Sequence, residues 1–280
     1  MDFVTLHNGV RMPQLGFGVY QTPPDETERC VREALEVGYR HIDTAQAYNN
    51  EEGVGAAIAA SGLNRSDIFL TSKVWFYKDG YQAAKASIDE SLRKIGSDYI
   101  DLMLVHQPFG DYYSTYRALE EAYDAGKLRA IGVSNFYPDR LIDLAHFARI
   151  VPMVNQVETH VFFQQQEARP FMDELNVIHE SWAPFAEGAN NFFDNPTLKA
   201  IAEEHGKTVA QVALRYLLQR GVVVIPKSTH KERMEENFRV FDFELTDANM
   251  TSLETLDTHH SLFLDHRGAQ DVKRFVGFAR

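Results

Sequence analysis

Four polar residues, Asp43, Tyr48, Lys73 and His106, lie within or just past short apolar runs with strand character. The runs are HIDTA (residues 41–45), FLTSKVW (69–75) and IDLMLVHQP (100–108). Side chains at the carboxyl ends of successive parallel strands converge on one rim of a sheet or barrel. This spacing would therefore gather an acid, a phenol, an ammonium and an imidazole in one pocket. Such a set is suited to donating a proton.

The surrounding pattern supplies the frame. A hairpin is expected over residues 3–12, where Asn8-Gly9 signals a tight turn. Eight strand–helix units follow, with strands expected at 15–19, 41–45, 69–75, 100–106, 130–134, 153–158, 177–183 and 222–226. Helices are expected at 25–37, 51–60, 80–95, 113–125, 138–147, 165–175, 196–205, 209–220 and 231–239, with a terminal one at 247–256. Strands such as VVVIP and LMLV are almost wholly apolar, as burial on both faces demands. The expected fold is a closed (β/α)8 barrel with an amino-terminal hairpin and additional carboxyl-terminal helices, one domain over residues 1–280. An open doubly wound sheet is the competitor; eight regular units without a composition break favour closure.

Bulk properties narrow the function classes. A length of 280 residues suits one barrel, which typically runs to ~250. The formal net charge of −12 disfavours nucleic acid and anionic membranes as partners. Cys30 is the only cysteine, so no internal disulfide can form and a reducing compartment is expected. No apolar run approaches the ~20 residues that cross a bilayer. A cytoplasmic monomer acting on a small molecule is the expectation. Gly16-x-Gly18 imitates the start of a dinucleotide fingerprint, but position 21 is Gln and no helix opens there, so close packing at a barrel rim is the better reading.

Residues 38–55 (GYRHIDTAQAYNNEEGVG) resemble a signature of the aldo-keto reductases. So do 126–136 (GKLRAIGVSNF) and 225–237 (IPKSTHKERMEEN), and the resemblance runs from about Val4 to about Leu264. Its flavour is that of the bacterial and fungal-type branch that reduces small dicarbonyls and keto-sugars. The resemblance implies that Tyr48 protonates the alkoxide left by hydride addition to a carbonyl. A free phenol of pKa ~10 is a sluggish acid at neutral pH, and the Lys73 ammonium is expected to lower it. Asp43 would hold Lys73 by a charge-assisted hydrogen bond. His106 would bond the carbonyl oxygen and orient the substrate. His41 is read as a structural histidine.

The same resemblance implies NADPH as cofactor, with NADH accepted at lower affinity. Ser134, Asn135 and Gln156 would hold the nicotinamide carboxamide, and Trp182 would offer an aromatic face to the ring. The cluster after the eighth strand would hold the rest. Lys227, Ser228, Thr229 and Arg233 would lie at the adenosine 2′-phosphate, and Glu236 and Asn237 at adenine. Many family members carry Arg where this chain has His230; Lys231 is the nearest cation that could compensate. Tyr20, Trp75, His106 and Phe109 would line the substrate pocket. Tail residues Phe263 and His266 could either reach that pocket or only cover the barrel. No metal is expected: the spacing of Glu158, His160, His179, His259 and His260 fits no zinc pattern, and they are read as surface or rim groups. Two rival readings are a non-catalytic nicotinamide-binding regulator of the same fold and a Schiff-base barrel enzyme using Lys73.

Overall fold

Apolar runs buried on both faces become the staves of a barrel. The computed structural model describes residues 2–78 and 80–278. Strands β1 (Phe3–Thr5) and β2 (Arg11–Pro13) form the antiparallel hairpin. The inner sheet comprises β3 (Phe17–Gly18), β4 (His41–Asp43), β5 (Phe69–Val74), β6 (Leu102–Val105), β7 (Ile131–Ser134), β8 (Val154–Glu158), β9 (Ile178–Trp182) and β10 (Val223–Val224). These eight are parallel and adjacent in chain order.

The first and last staves meet, which decides between barrel and open sheet. Leu15 bridges Val224 in parallel, Gly16 N donates to Val224 O at 2.8 Å, and Gly18 N donates to Pro226 O at 3.1 Å. Glycine is needed along this seam: a Cβ on Gly16 would come within 2.6 Å of His41 Nδ1, and one on Gly18 within 3.0 Å of Ile225 O. The Gly16-x-Gly18 pair thus serves closure.

Around the barrel run α1 (Pro24–Val37), α2 (Glu51–Ala60), α3 (Tyr81–Ile95), α4 (Tyr112–Asp124), α5 (Pro138–Phe147), α6 (Arg169–Glu174), α7 (Pro196–His205), α8 (Val209–Gln219), α9 (Lys231–Phe238), α10 (Asp247–Glu254) and α11 (Ala269–Phe278). Among the described residues no helix is long and apolar enough to cross a membrane. One expected helix is corrected. The 165–175 pattern yields helix only over Arg169–Glu174, because Pro170 has no N–H to donate and its ring clashes with the carbonyl four residues earlier. Pro170 therefore sits in the first turn, and Gln165 takes φ +58° ahead of it.

Helix α11 was not anticipated. It belongs to a tail strapped over the carboxyl ends of the strands. Thr258 bonds Phe162 O through its amide and its hydroxyl (2.9 and 2.7 Å). Glu158, buried at the end of β8, then accepts from Ser261 Oγ (2.5 Å), Leu262 N (2.8 Å) and His160 Nε2 (3.0 Å). Glu158, His160 and His179 are buried, so a surface placement fails for them. Glu158 and His160 instead clamp the tail and each other.

Candidate active site

Each residue of the expected quartet is delivered by a different local device. Asp43 ends β4, and Lys73 is the fifth residue of β5. Tyr48 closes a single 3-10 turn after β4, which Asn49 terminates in the left-handed conformation at φ +55°. His106 follows β6 directly.

The four come together. Lys73 Nζ lies 2.5 Å from Asp43 Oδ1, 2.9 Å from Thr44 O and 3.4 Å from the Tyr48 hydroxyl. Three acceptors match the three N–H groups of an ammonium, so a fully buried lysine is satisfied. The Tyr48 and His106 rings meet edge-on at 5.7 Å between centroids, with Tyr20 against Tyr48 at 5.0 Å and Trp75 against His106 at 5.0 Å.

Asp43 and Lys73 pull in opposite senses. Burial opposes the Lys73 ammonium, but Asp43 and Tyr48 offset it and its pKa stands above the ordinary value. Burial also raises Asp43, against Lys73 and Gln156, which lower it. With donors at 2.5 and 2.8 Å on its two oxygens, Asp43 is taken as the ionised partner.

The expected depression of Tyr48 is not found. Lys73 acts in the expected direction, but burial outweighs it and the phenol is pushed up to about 12. Tyr48 is thus a protonated hydroxyl at neutral pH. Burial first, then Lys73 and His266, holds His106 well below the ordinary histidine value. A neutral imidazole results, and its Nδ1 has no partner among the described residues.

These groups open into a cavity of about 810 Å³. Its floor holds Asp43, Tyr48, His106, Ser134, Asn135, Gln156 and Trp182, and its walls include Tyr20, Trp75 and Lys227. Gly18 and Ile225 at the closure seam line it too, as does Glu187. The tail supplies the roof: Phe263, Leu264, His266, Arg274 and Phe275. Of the two roles open to Phe263 and His266, reaching the pocket is the one observed.

Residues 13–258 match the model of the Aldo/keto reductase family. The chain belongs to that family. It is 47% identical over 258 residues to a glyoxal reductase of Bacillus subtilis, covering 91% of this chain and 93% of the relative. Among solved structures, an aldo-keto reductase enzyme from a Medee basin deep-sea metagenome library superposes with a TM-score of 0.92 at 42% identity, covering 95% of this chain and 99% of the other. A Bombyx mori aldo-keto reductase in complex with NADP gives 0.89 at 33% identity, covering 97% and 96%.

In this member of the family the floor is tightly wired. Asn135, at φ +64°, donates through Nδ2 to His106 O and Ser134 Oγ (both 3.2 Å) and accepts from Trp182 Nε1 at 2.9 Å. Ser134 Oγ donates to Gln156 O at 2.8 Å. A lone pair remains on Ser134 Oγ and on Asn135 Oδ1. Lys227 and Arg233 are exposed beside the start of α9, whereas Ser228 and Asn237 are buried. Glu236 accepts from Thr208 Oγ1 at 2.8 Å, and Thr229 O accepts from Arg29 at 3.3 Å.

Lys231 is paired with Glu36 at 2.7 Å at the surface. One placement differs from expectation. Phe109 is not on the main cavity. It stacks on His266 at 5.9 Å and lines a neighbouring hollow beneath α11.

Sequence reasoning missed Glu180 in the middle of β9, fully buried below this floor. Its signal was available: it stands two residues before Trp182, hence on the same face of the strand. Burial first, and Asp43 second, push it up to about 8 from 4.5. The folded chain therefore keeps a proton that the unfolded chain has lost between about pH 4.5 and 8, and stability falls as pH rises through that window. Glu180→Gln removes this titration, so its stability relative to wild type should improve steadily over the same interval. Urea unfolding at several pH values checks this; parallel pH dependences would mean that Glu180 titrates as an ordinary carboxyl.

Proposed function

We propose that this chain is an NADPH-dependent reductase of small aldehydes, dicarbonyls or keto-sugars, with Tyr48 as general acid. The observation that carries this reading is a phenolic hydroxyl 3.4 Å from a buried lysine, opening with His106 into a cavity of about 810 Å³. The similarity to a glyoxal reductase supports small dicarbonyls, and the likeness to a structure holding NADP supports the cofactor.

The residues present suit a nicotinamide dinucleotide. Gln156 Oε1 takes no hydrogen bond from any described residue, and the Trp182 indole is pinned through its N–H by Asn135. Ser134, Asn135 and Gln156 would hold the carboxamide, with Trp182 against the ring. Lys227, Ser228, Thr229 and Arg233 would grip the 2′-phosphate beside a helix start, where anions are favoured. Asn237 and Glu236 would meet adenine. When bound, the reduced cofactor supplies the hydride.

The chain's own residues manage the oxygen. His106, neutral, offers an N–H to the carbonyl oxygen and sets its direction. Tyr48 delivers its proton to the same oxygen as negative charge develops there, an alkoxide being a stronger base than a phenolate. The Lys73 ammonium steadies the phenolate so formed, and Asp43 keeps that ammonium in place. Tyr20, Trp75, Phe263 and Phe275 exclude water from the transfer.

NADPH oxidation followed across methylglyoxal, diacetyl, phenylglyoxal, keto-sugars and aromatic aldehydes tests the reading. Turnover on at least one class is expected, and tight NADPH binding with none at all would favour the regulator instead. Cofactor preference is tested separately. Replacing both Lys227 and Arg233 with Ala should raise the NADPH dissociation constant about tenfold or more while moving that for NADH little. Equal weakening of both would remove these side chains from the 2′-phosphate.

A further inference from the structure

The quartet rests on a second polar layer inside the barrel, whose acid Glu180 has no part in the reaction proposed above. Gln156 Nε2 donates twice, to Asp43 Oδ2 at 2.8 Å and to Glu180 Oε2 at 3.0 Å. A primary amide has two N–H groups and one carbonyl oxygen, so both donors are spent below the floor. Turning the amide over would set its oxygen against two carboxyl groups in a dry interior, which is costly. The orientation is therefore dictated by its neighbours.

We propose that Glu180 is a positioning residue for the cofactor: with Asp43 it takes both N–H groups of Gln156, leaving the amide oxygen Oε1 as the group that meets the carboxamide N–H of a bound nicotinamide. This rests on the nicotinamide reading above. Glu180 acts as a neutral acid at physiological pH, consistent with its burial beside Asp43. The groups facing it are Asp43 and His41 from β4, Lys73 from β5 and Gln156 from β8. Burial holds His41 at about 3, so it is neutral too. Oε1 of Glu180 has no hydrogen-bond partner and lies 3.7 Å from His41 Nε2, which leaves the proton of Glu180 on that oxygen, away from Gln156. Without an acceptor at position 180, one Gln156 N–H would be buried unpaired, and swinging it toward the cavity would relieve that cost. The cavity would then meet a donor where it now meets an acceptor.

The test compares two ligands by fluorescence titration: NADP+, and its 3-acetylpyridine analogue, whose methyl ketone lacks the carboxamide N–H. Wild type should prefer NADP+ by roughly five- to tenfold, the worth of one hydrogen bond. Glu180→Leu should bring that ratio to within about twofold of unity. Glu180→Gln, which can still accept from Gln156, should keep it. A merely structural Glu180 would weaken both ligands together in the Leu variant and leave the ratio alone, and that result overturns the proposal. If the Leu variant does not fold, two measurements still decide: the ratio must survive in Glu180→Gln and collapse in Gln156→Leu, and either failure is fatal. A wild type that binds neither ligand defeats the cofactor reading itself, while binding without discrimination defeats only the role given to Glu180 and Gln156.

Discussion

Replacing Tyr48 with Phe should lower carbonyl reduction by a factor of about 10²–10⁴, the usual worth of a positioned general acid, while NADPH still binds. The ring survives the change, so its edge contact with His106 and its packing against Tyr20 are preserved. Lys73 keeps its bonds to Asp43 and Thr44 O, and its third N–H can turn to water in the cavity. Only the transferable proton is removed. Because burial holds the hydroxyl up at about 12, the wild-type proton is retained throughout the neutral range. The loss should therefore appear in kcat with KM little altered, and it should not be recovered by lowering the pH from 8 to 6. Single-turnover measurement of NADPH oxidation checks this directly. Turnover within tenfold of wild type would remove Tyr48 from the chemistry and transfer the proton to another donor, with His106 the next such group on the cavity floor.

How much of this could be read from residues alone varied with the kind of signal. Helices α2, α5 and α7 were bounded correctly at both ends. In α5 and α7 a proline opens the helix, and a left-handed glycine, Gly206, closes α7. The failure at 165–175 has the same origin, since Pro170 fits only the first turn of a helix and its covalent geometry sets the boundary. Barrel closure was inferred from counting units, but the seam between Leu15 and Val224 is a long-range pairing that no local pattern contains. The meeting of Asp43, Tyr48, Lys73 and His106 was readable because parallel strands bring their ends to one rim. The tail was not. Helix α11 is only ten residues long, with Ala269, Val272, Phe275, Val276 and Phe278 as its apolar positions, and the docking of the tail depends on Glu158, whose partners Ser261 and Leu262 lie about a hundred residues away. The acidity of Tyr48 was misjudged because a charge partner can be guessed from sequence order, whereas desolvation needs the packed interior.

That interior sets the second large effect. Lys73→Met should cost about 3–5 kcal/mol of stability, because it strands Asp43 in a dry site without its cation. The ammonium is wholly buried and lies 2.5 Å from Asp43, while the neighbouring acid Glu180 adds no positive charge to replace it. Asp43 would then have to take up a proton, and the Gln156 N–H would be left facing a neutral acid. The cost should belong to the broken pair and not to lost packing, since methionine nearly fills the same volume. Asp43→Asn combined with Lys73→Met should therefore recover much of the loss, the double variant unfolding at a higher urea concentration than Lys73→Met alone. Activity should not recover with it, because no ammonium remains to steady the Tyr48 phenolate. Urea unfolding of the two single variants and the double variant, read beside NADPH oxidation, separates the terms. If the double variant were less stable than wild type by the sum of the two single costs, the pair would not be coupled, and Lys73 could not hold the charge that this site requires.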